Sequence, residues 1–232
     1  MTQNNNLIFD LGFYDGSDTK FYLDKEFDVV AIEANPYLYN EGLNKFRNEI
    51  EKKRLILINR AIVEKKLSNI ESKTKFFVSD TRNELSSCLI EIAESEGSKV
   101  ECIYVNTITL KDLFNKYGVP YYMKVDIEGN DAIVARQLFE EEKPKFVSFE
   151  TAKKDYFDIF SWLYVSGYRK FQLVNQLNNS QYSSGKFGKF LPENKWISYD
   201  ELLTRYIKYK ELKTIDNKEL GLGWIDVHAM ME

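Results

Sequence analysis

Two acidic residues, Asp10 and Glu33, each follow a short apolar run. The runs at residues 7–9 and 29–32 are typical of buried strands, so both carboxylates are expected at the carboxyl edge of a parallel sheet. The two acids are about 20 residues apart. In a Rossmann-like fold, an acid at this distance from the first strand binds the ribose hydroxyls of an adenosine. The alternative is an ordinary strand, turn and helix with solvated acids. The pattern favours a nucleoside-binding site.

The glycine turn after the first strand indicates which cofactor this site would take. Gly12 and Gly16 allow a tight turn and a close approach of the backbone to a ligand. A dinucleotide site has the pattern G-x-G-x-x-G, but this chain has Tyr14 and Ser17 at the second and third glycine positions. Asp15 would also repel a pyrophosphate at the start of the helix. S-adenosylmethionine has no phosphate and carries a sulfonium and an amino group, so it is compatible with these acids.

Several further motifs lie along residues 6–175. They are D-x-G-x-x-x-G-x-x-T (Asp10, Gly12, Gly16, Thr19), an acid followed by x-N-P (Glu33, Asn35, Pro36), Thr109-Leu110 before a helix, K-x-D-x-E-G (Lys124, Asp126, Glu128, Gly129) and Phe149-Glu150. Together they resemble the FkbM-type methyltransferases, which are class I, S-adenosylmethionine-dependent enzymes that mostly methylate hydroxyl groups of sugars and related natural products. K-x-D-x-E-G is the most specific element. The chain departs from the family at Phe13, Tyr14 and Asp15, where small residues or Asn are usual.

The resemblance implies a role for individual residues. Cofactor contacts are expected from Asp10, Gly12, Phe13, Gly16, Thr19, Glu33, Ala34, Asn59, Ala61 and Asp126. Asp126 is also expected to be the catalytic base or a ligand of a divalent cation, with Lys124 and Glu128 orienting it and the acceptor. Magnesium suits paired carboxylates such as Asp126 and Glu128, and the sequence leaves the base and metal mechanisms open. The alternative for these acids is a helix cap or an ion pair with Lys124.

Apolar runs alternate with segments of helical spacing, which predicts an α/β fold. The expected architecture is the Rossmann-like sandwich of class I methyltransferases, a mostly parallel seven-stranded sheet with an antiparallel last strand. Residues 1–232 are expected to form one domain, since 44% of them are hydrophobic and can bury a full core. The expected core strands are residues 7–10, 29–33, 55–58 with 61–63, 122–125, 146–149, 171–174 and 225–230. The expected helices include residues 37–53, 110–117, 130–142, 156–166 and 199–210.

The segment between the sixth and seventh strands, residues 175–223, is expected to emerge at the ligand-binding edge of the sheet and to form a lid. Its aromatic and polar side chains suit packing on a sugar face. An equally weighted alternative is that its aromatics pack a small helical cap around residues 199–210. The expected acceptor-binding residues are Glu150, Tyr182, Trp196 and Trp224.

His228 is the only histidine of the chain. It shares a strand face with Trp224, but an antiparallel last strand would begin at the active-site edge. At ~3.3 Å per residue, His228 would lie on the order of 13 Å below Trp224. Asp126 is therefore the preferred base.

Composition narrows the class of partner and the location. The net charge of −4 leaves no broad cationic face for nucleic acid. No apolar stretch approaches the roughly 20 residues that span a bilayer, and the polar start of the chain lacks the apolar region of a signal peptide, so a cytoplasmic location is expected. Cys88 and Cys102 are expected to be free thiols in a reducing compartment.

The expected function is S-adenosylmethionine-dependent O-methylation of a sugar, a glycan or a related small natural product. An NAD-dependent oxidoreductase would use the same ribose-binding acid but lacks its glycine pattern here. A non-catalytic nucleoside-binding module would retain Asp10 and Glu33, yet it would not need the acids of K-x-D-x-E-G, which this chain has.

Overall fold

The computed structural model of the protein describes residues 4–64, 72–151, 156–176, 195–215, 218–219 and 224–232. Strands and helices alternate along it, as the apolar periodicity predicts. In chain order the elements are β1 (Asn4–Leu11), α1 (Ser17–Asp24), β2 (Asp28–Glu33), α2 (Pro36–Lys45), α3 (Arg47–Glu51), β3 (Leu55–Asn59), β4 (Ala61–Ile62), β5 (Lys73–Ser79), α4 (Ile90–Ala93), β6 (Val100–Ile108), α5 (Leu110–Tyr117), β7 (Pro120–Val125), α6 (Asp131–Glu140), β8 (Phe146–Glu150), α7 (Tyr156–Val165), β9 (Tyr168–Asn175), α8 (Tyr199–Lys213), β10 (Thr214–Ile215), β11 (Lys218–Glu219) and β12 (Ile225–Met231).

The main sheet has the strand order β3-β2-β1-β7-β8-β12-β9. Among its described strands, β12 alone is antiparallel to its neighbours, and the other pairs are parallel. The predicted seven-stranded topology is therefore confirmed. The strand order reverses between β1 and β7, because the chain proceeds outward in one direction from β1 and in the other direction from β7. Ligands of open α/β sheets bind outside the carboxyl ends of the strands at such a reversal.

Helices cover both faces of the main sheet. α1 to α3 pack on one face around a cluster that includes Ile8, Tyr22 and Phe46. α5 to α8 pack on the other face around a larger cluster that includes Phe9 and Leu202. Successive side chains of a strand point to opposite faces, so Ile8 and Phe9 enter different clusters, and the strands are continuously apolar in sequence. In the described part of the chain, no helix is both long and apolar enough to span a membrane.

Directly after β3 the chain enters a second sheet of three strands. It has the order β4-β6-β5, with β4 parallel and β5 antiparallel to β6. Residues 55–58 and 61–63 were expected in one strand region, but β3 pairs with β2 whereas Ala61 and Ile62 of β4 pair with β6. The expected single strand is therefore divided between two sheets. The apolar pattern of residues 55–63 shows which side chains are buried but does not determine which neighbouring strand each segment pairs with.

The structure adds detail to two local features that the sequence predicts, the helix at residues 37–53 and the Thr109-Leu110 motif. The helix expected at residues 37–53 is divided into α2 and α3 at Phe46, whose buried ring packs edge-on against Phe13 at 5.6 Å between centroids. The Thr109-Leu110 motif is a capping box, because the Thr109 side chain accepts from the Asp112 N–H and the Asp112 carboxylate accepts from the Thr109 N–H.

The described part of residues 175–223 is integrated with the core. The backbone of Ile197 pairs with Phe171 of β9, and Leu202 and Tyr206 of α8 are buried in the same cluster as α7. The Tyr206 hydroxyl donates to the carbonyl of Thr151. The helical-cap alternative thus describes α8. Tyr182 and the rest of residues 177–194 lie outside the described residues.

A substitution at Gly12 is expected to destabilise the fold strongly. Gly12 has φ +99°, and a Cβ atom there would lie 1.8 Å from the backbone oxygen of Asp126. Gly12→Ala therefore combines left-handed backbone strain with a clash against a carbonyl that cannot rotate away, and a loss of roughly 2 to 4 kcal/mol in unfolding free energy is expected. Gly118→Ala is the matched control, since φ is +84° there and nothing lies within 4 Å of a Cβ. Urea unfolding that gave equal losses for the two variants would contradict the close approach.

Candidate functional site

The turns after β1 and β7 touch at the strand-order reversal. The N–H groups of Gly12 and Phe13 donate to the carbonyl of Ile32 at 3.1 and 2.9 Å, and the N–H of Asp126 donates to the carbonyl of Leu11 at 2.8 Å. The missing side chain of Gly12 leaves room for this contact. The ring of Phe13, a residue expected to contact the cofactor, packs among apolar side chains between α1 and α2, and Phe13 also lines the larger of the two cavities described below.

Glu33 ends β2 and is nearly fully buried. Its Oε2 atom accepts from the Tyr14 N–H and its Oε1 atom accepts from the Asn35 N–H, both at 2.8 Å. Burial raises the pKa of Glu33 to about 7, and Asp10 adds to this rise, while the two N–H donors and Lys124 oppose it. Each oxygen keeps a lone pair for a further donor, so the carboxylate can accept from two ribose hydroxyls.

A cavity of about 120 Å³ lies over the ends of β1, β2 and β7. Ala34 and Ala61, expected near the cofactor, line it together with Glu33, Asp126 and Glu128. Asn59, also expected near the cofactor, supports the residues that line the cavity. Its amide donates to the carbonyls of Glu33 at 2.8 Å and Ala34 at 3.1 Å and so stabilises the turn after β2.

The roof of this cavity comes from the chain that follows β5. Asn83, Glu84, Ser86 and Cys88 line it, and sequence reasoning identified none of them as site residues. They form no recognisable motif, and the second sheet alone brings them over the ends of β1 and β2. Cys88 is partly buried, and burial raises the pKa of its thiol to about 11, so it is protonated at neutral pH.

Lys124 is the centre of a cluster of carboxylates. Its Nζ atom lies 3.2 Å from Asp18, 3.3 Å from Asp126 and 3.7 Å from Asp10. Burial acts to lower the pKa of Lys124, but Asp126, Asp10 and Asp226 outweigh it and hold that pKa above its ordinary value. The ammonium therefore stays charged and serves to orient the acids rather than to take a proton.

Asp10 and Thr19 lie beneath the glycine turn and are fully buried. The Thr19 hydroxyl donates to Asp10 Oδ2 at 2.6 Å, while Asp10 Oδ1 faces Lys124. Gly16 also has positive φ, and a Cβ atom there would lie 2.5 Å from the rings of Phe13 and Phe46. The residues of the D-x-G-x-x-x-G-x-x-T motif thus stabilise the turn after β1 through the hydrogen bond between Thr19 and Asp10 and the close packing at Gly16.

Three carboxylates converge after β7 and β8. Oxygens of Asp126, Glu128 and Glu150 all lie within 4.8 Å of one another. Glu128 has the unusual φ of +54°, which points its side chain back toward the other two. Such a group can share a proton or hold a hard divalent cation.

Asp131 supports this loop, a role that sequence reasoning missed. Its two carboxylate oxygens accept from the N–H groups of Ile127 and Gly129, each at 3.0 Å. From the other side, the Ser87 hydroxyl donates to the carbonyl of Glu128 at 2.6 Å. Burial, aided by Asp126, raises the pKa of Asp131 to about 7. The signal available in the sequence was an acid at the start of a helix.

Asp131→Asn is expected to lower turnover about tenfold while changing cofactor affinity less than about threefold. The amide places an NH₂ group against a backbone N–H, so one hydrogen bond to the loop is lost, at a typical cost of ~1 to 3 kcal/mol. Asp112→Asn is the matched control, because Asp112 caps α5 outside both cavities. Steady-state kinetics on the two variants checks this, and an unchanged turnover in Asp131→Asn would show that loop geometry is not needed for the reaction.

A second cavity, of about 290 Å³, adjoins the first and shares Tyr14 and Asp126 with it. Trp224, one of the expected acceptor-binding residues, lines it at the start of β12. Trp196 does not, because its ring packs 6.4 Å from that of Phe146 at the amino end of β8, the opposite edge of the sheet from Asp126. We therefore leave Trp196 out of the acceptor site.

His228 also lines this second cavity. It is buried, pairs across the sheet with Ser148 and stacks on the ring of Tyr122 at 6.4 Å between centroids. Its place three residues into antiparallel β12 agrees with the expected depth below Trp224.

The antiparallel strand between β8 and β9 in an otherwise parallel sheet is the topology expected for the Rossmann-like fold of class I methyltransferases. A family model described as the methyltransferase FkbM domain matches residues 10–170, more than half of the chain. The chain belongs to the FkbM methyltransferase family. A search of curated proteins found no significant match.

Solved methyltransferase structures resemble the fold at low identity. A precorrin-6y C5,15-methyltransferase from Geobacter metallireducens is 9% identical with a TM-score of 0.43, and the match covers 100% of this chain and 82% of that one. A putative sarcosine dimethylglycine methyltransferase from Galdieria sulphuraria is 9% identical with a TM-score of 0.42, covering 98% and 78%. Phosphoethanolamine N-methyltransferase 2 from Haemonchus contortus, in complex with S-adenosyl-L-methionine, is 12% identical with a TM-score of 0.40, covering 100% and 50%. These likenesses do not bear on the acceptor.

Proposed function

We propose that this methyltransferase acts on a hydroxyl group of a sugar, a glycan or a related small natural product. The observation that carries the proposal is the position of Asp126, which lines both cavities and whose side chain is about one-third exposed. A nucleoside in the smaller cavity and an acceptor in the larger one would meet beside this carboxylate. A carboxylate at the meeting point suits an acceptor that must lose a proton.

The donor residues fit S-adenosylmethionine. Glu33 offers both carboxylate oxygens to the ribose hydroxyls, and Gly12 lines the same cavity as Glu33. When bound, the cofactor supplies an electrophilic methyl group on a sulfonium. Transfer is an in-line displacement, so the protein has to align the acceptor oxygen and remove its proton.

Asp126 takes the hydroxyl proton as the new oxygen–carbon bond forms and the carbon–sulfur bond breaks. Lys124, 3.3 Å away, holds the carboxylate in place. Glu128 and Glu150 lie on the other side of Asp126 and are proposed to position the acceptor hydroxyl. Gln176 and Trp224 line the larger cavity, so within residues 175–224 these two described side chains are proposed to border the acceptor.

A divalent cation is the second candidate for activating the acceptor. The closeness of Asp126, Glu128 and Glu150 favours it, because oxygen ligands at this separation suit magnesium. EDTA separates the two mechanisms. A metal-dependent enzyme loses activity and recovers it with added magnesium, whereas direct base catalysis by Asp126 is unaffected.

The donor site is tested by calorimetric titration with S-adenosylhomocysteine and, separately, with NADH. We expect binding of S-adenosylhomocysteine and none of NADH, because Asp15 and Tyr14 replace the features that hold a pyrophosphate. Release of S-adenosylhomocysteine in the presence of a sugar panel then tests hydroxyl methylation. Tight NADH binding would instead favour an oxidoreductase.

A further inference from the structure

A row of polar side chains crosses five strands on one face of the main sheet. The strand register pairs Asp10 with Lys124, Lys124 with Ser148, Ser148 with His228, and His228 with Gln172. Directly opposite residues of neighbouring strands point to the same face. The row is therefore continuous from β1 to β9.

On the same face, this row lies between the carboxylates of Asp126, Glu150 and Asp226 at the carboxyl edge and a mostly apolar row toward the amino ends. The next row toward the amino ends contains Ile8, Tyr122, Phe146 and Met230, which belong to or pack on the cluster under α1 to α3. Burying polar side chains instead of apolar ones is costly unless they have partners, so a buried polar row calls for an explanation. The Tyr122 hydroxyl and the Ser148 hydroxyl satisfy each other at 2.6 Å.

Part of the row faces the larger cavity. Lys124, Ser148 and His228 line it, and Ser148 and His228 are at most 2% exposed. Trp224, at 45% exposed, and Asp226 line it near the carboxyl edge, where Gln176 donates to Asp226 at 2.7 Å. The larger cavity, called the chamber below, thus extends from Asp126 at the carboxyl edge to Ser148 and His228. These two buried side chains form its polar floor.

We propose that this chamber is the acceptor subsite, and that it takes one small, hydroxyl-rich unit without negative charge, with its far end on Ser148 and His228. The proposal rests on the function proposed above and names the acceptor class. A volume of about 290 Å³ lies near the lower limit of ligand pockets, about 300 Å³, so one terminal unit enters rather than an extended chain. The serine hydroxyl and the histidine ring nitrogens are hydrogen-bonding groups, which suits the hydroxyls of a sugar.

The charge of the walls excludes an anionic acceptor. Among the lining residues that the structure describes, four carboxylates, those of Asp15, Asp18, Asp126 and Asp226, face one ammonium, that of Lys124. That ammonium is already engaged by three acids at 3.2 to 3.7 Å. A phosphate or carboxylate on the acceptor would meet net repulsion in a partly desolvated site, whereas a neutral or amino sugar would not.

Ligand-observed NMR on protein saturated with S-adenosylhomocysteine tests this with three sugars that share a ring, namely D-glucose, D-glucosamine and D-glucuronate. We expect millimolar dissociation constants for the first two and binding at least about tenfold weaker for D-glucuronate. Asp226→Asn removes one wall charge and is expected to narrow that difference to about threefold. Asp24→Asn, at the far end of α1 in an exposed pair with Lys20, is the matched control and should leave it unchanged.

His228→Phe keeps a ring of similar size and removes the polar floor, so D-glucose binding should weaken about tenfold while S-adenosylhomocysteine affinity is kept. Equal binding of D-glucuronate, failure of D-glucose and D-glucosamine to bind the loaded protein, or an unchanged D-glucose affinity in His228→Phe would each overturn the proposal. Failure of S-adenosylhomocysteine itself to bind would instead overturn the donor site, so the two failures are distinguishable.

Discussion

Asp126→Asn is expected to lower turnover by roughly a hundred- to ten-thousand-fold while S-adenosylhomocysteine affinity stays nearly intact. The amide keeps the shape of the carboxylate but cannot accept the acceptor proton. Because Asp126 lines both cavities, its loss affects the junction between donor and acceptor rather than the ribose contact at Glu33. Single-turnover methyl transfer and calorimetry measure the two quantities separately.

The matched control for this prediction is Asp28→Asn. Asp28 begins β2 at the opposite edge of the sheet and pairs with Arg54 in a half-exposed ion pair, so its loss should change turnover little. A wild-type rate in Asp126→Asn with a genuine acceptor would return Asp126 to a structural role beside Lys124. A rate lost in both variants would indicate a general loss of folding.

Glu33→Ala is expected to weaken S-adenosylhomocysteine binding about ten- to a hundred-fold. Removing one partner of a hydrogen bond to a charged group typically costs ~1.5 to 3 kcal/mol, and Glu33 is placed to accept from two hydroxyls. Tyr14 and Asn35 would also lose the acceptor of their N–H groups, so the turn after β1 would loosen. Calorimetry on a variant that unfolds cooperatively checks the affinity.

The same carboxylate predicts the pH dependence of binding. The pKa of Glu33 is raised from 4.5 to about 7 by burial, so a proton must leave before the oxygens can accept from ribose. Affinity is therefore expected to rise as pH increases, with binding at pH 6 about tenfold weaker than at pH 8. Glu33→Gln should bind weakly at both pH values without this slope, and a wild-type affinity that is flat from pH 6 to 8 would contradict a titrating ribose ligand.

The stability of the ligand-free protein should change in the opposite direction. A raised carboxyl pKa means that the folded state holds the proton more tightly than the unfolded state. The contribution of Glu33 is thus fully present below about pH 4.5 and is lost as pH rises through about 7. The pKa of Asp131 is also raised to about 7, so its contribution to the free energy of unfolding is lost as pH rises through the same range. The difference between wild type and Glu33→Gln in urea unfolding isolates the first group.

The sequence by itself determined the sheet and the acids at its edge. Continuous apolar runs mark strands buried on both faces, and an acid that ends such a run lies at the carboxyl edge whatever else packs around it. Asp10, Glu33 and Asp126 could therefore be placed from local pattern alone, and the alternation of strands and helices predicted a mostly parallel sheet. The antiparallel last strand was implied by the resemblance to class I methyltransferases. Their roles as cofactor and catalytic residues are still predictions.

Only the tertiary structure decided what surrounds those acids. The cavity roof near Ser86, the support of Glu128 by Ser87, and the row that brings His228 beside Ser148 join segments 41 to 80 residues apart. Trp196 had the right residue type for a sugar site but packs at the amino end of β8. Side-chain periodicity records which positions are buried, whereas strand order and register, which set neighbours across the sheet, depend on the packing of the whole chain.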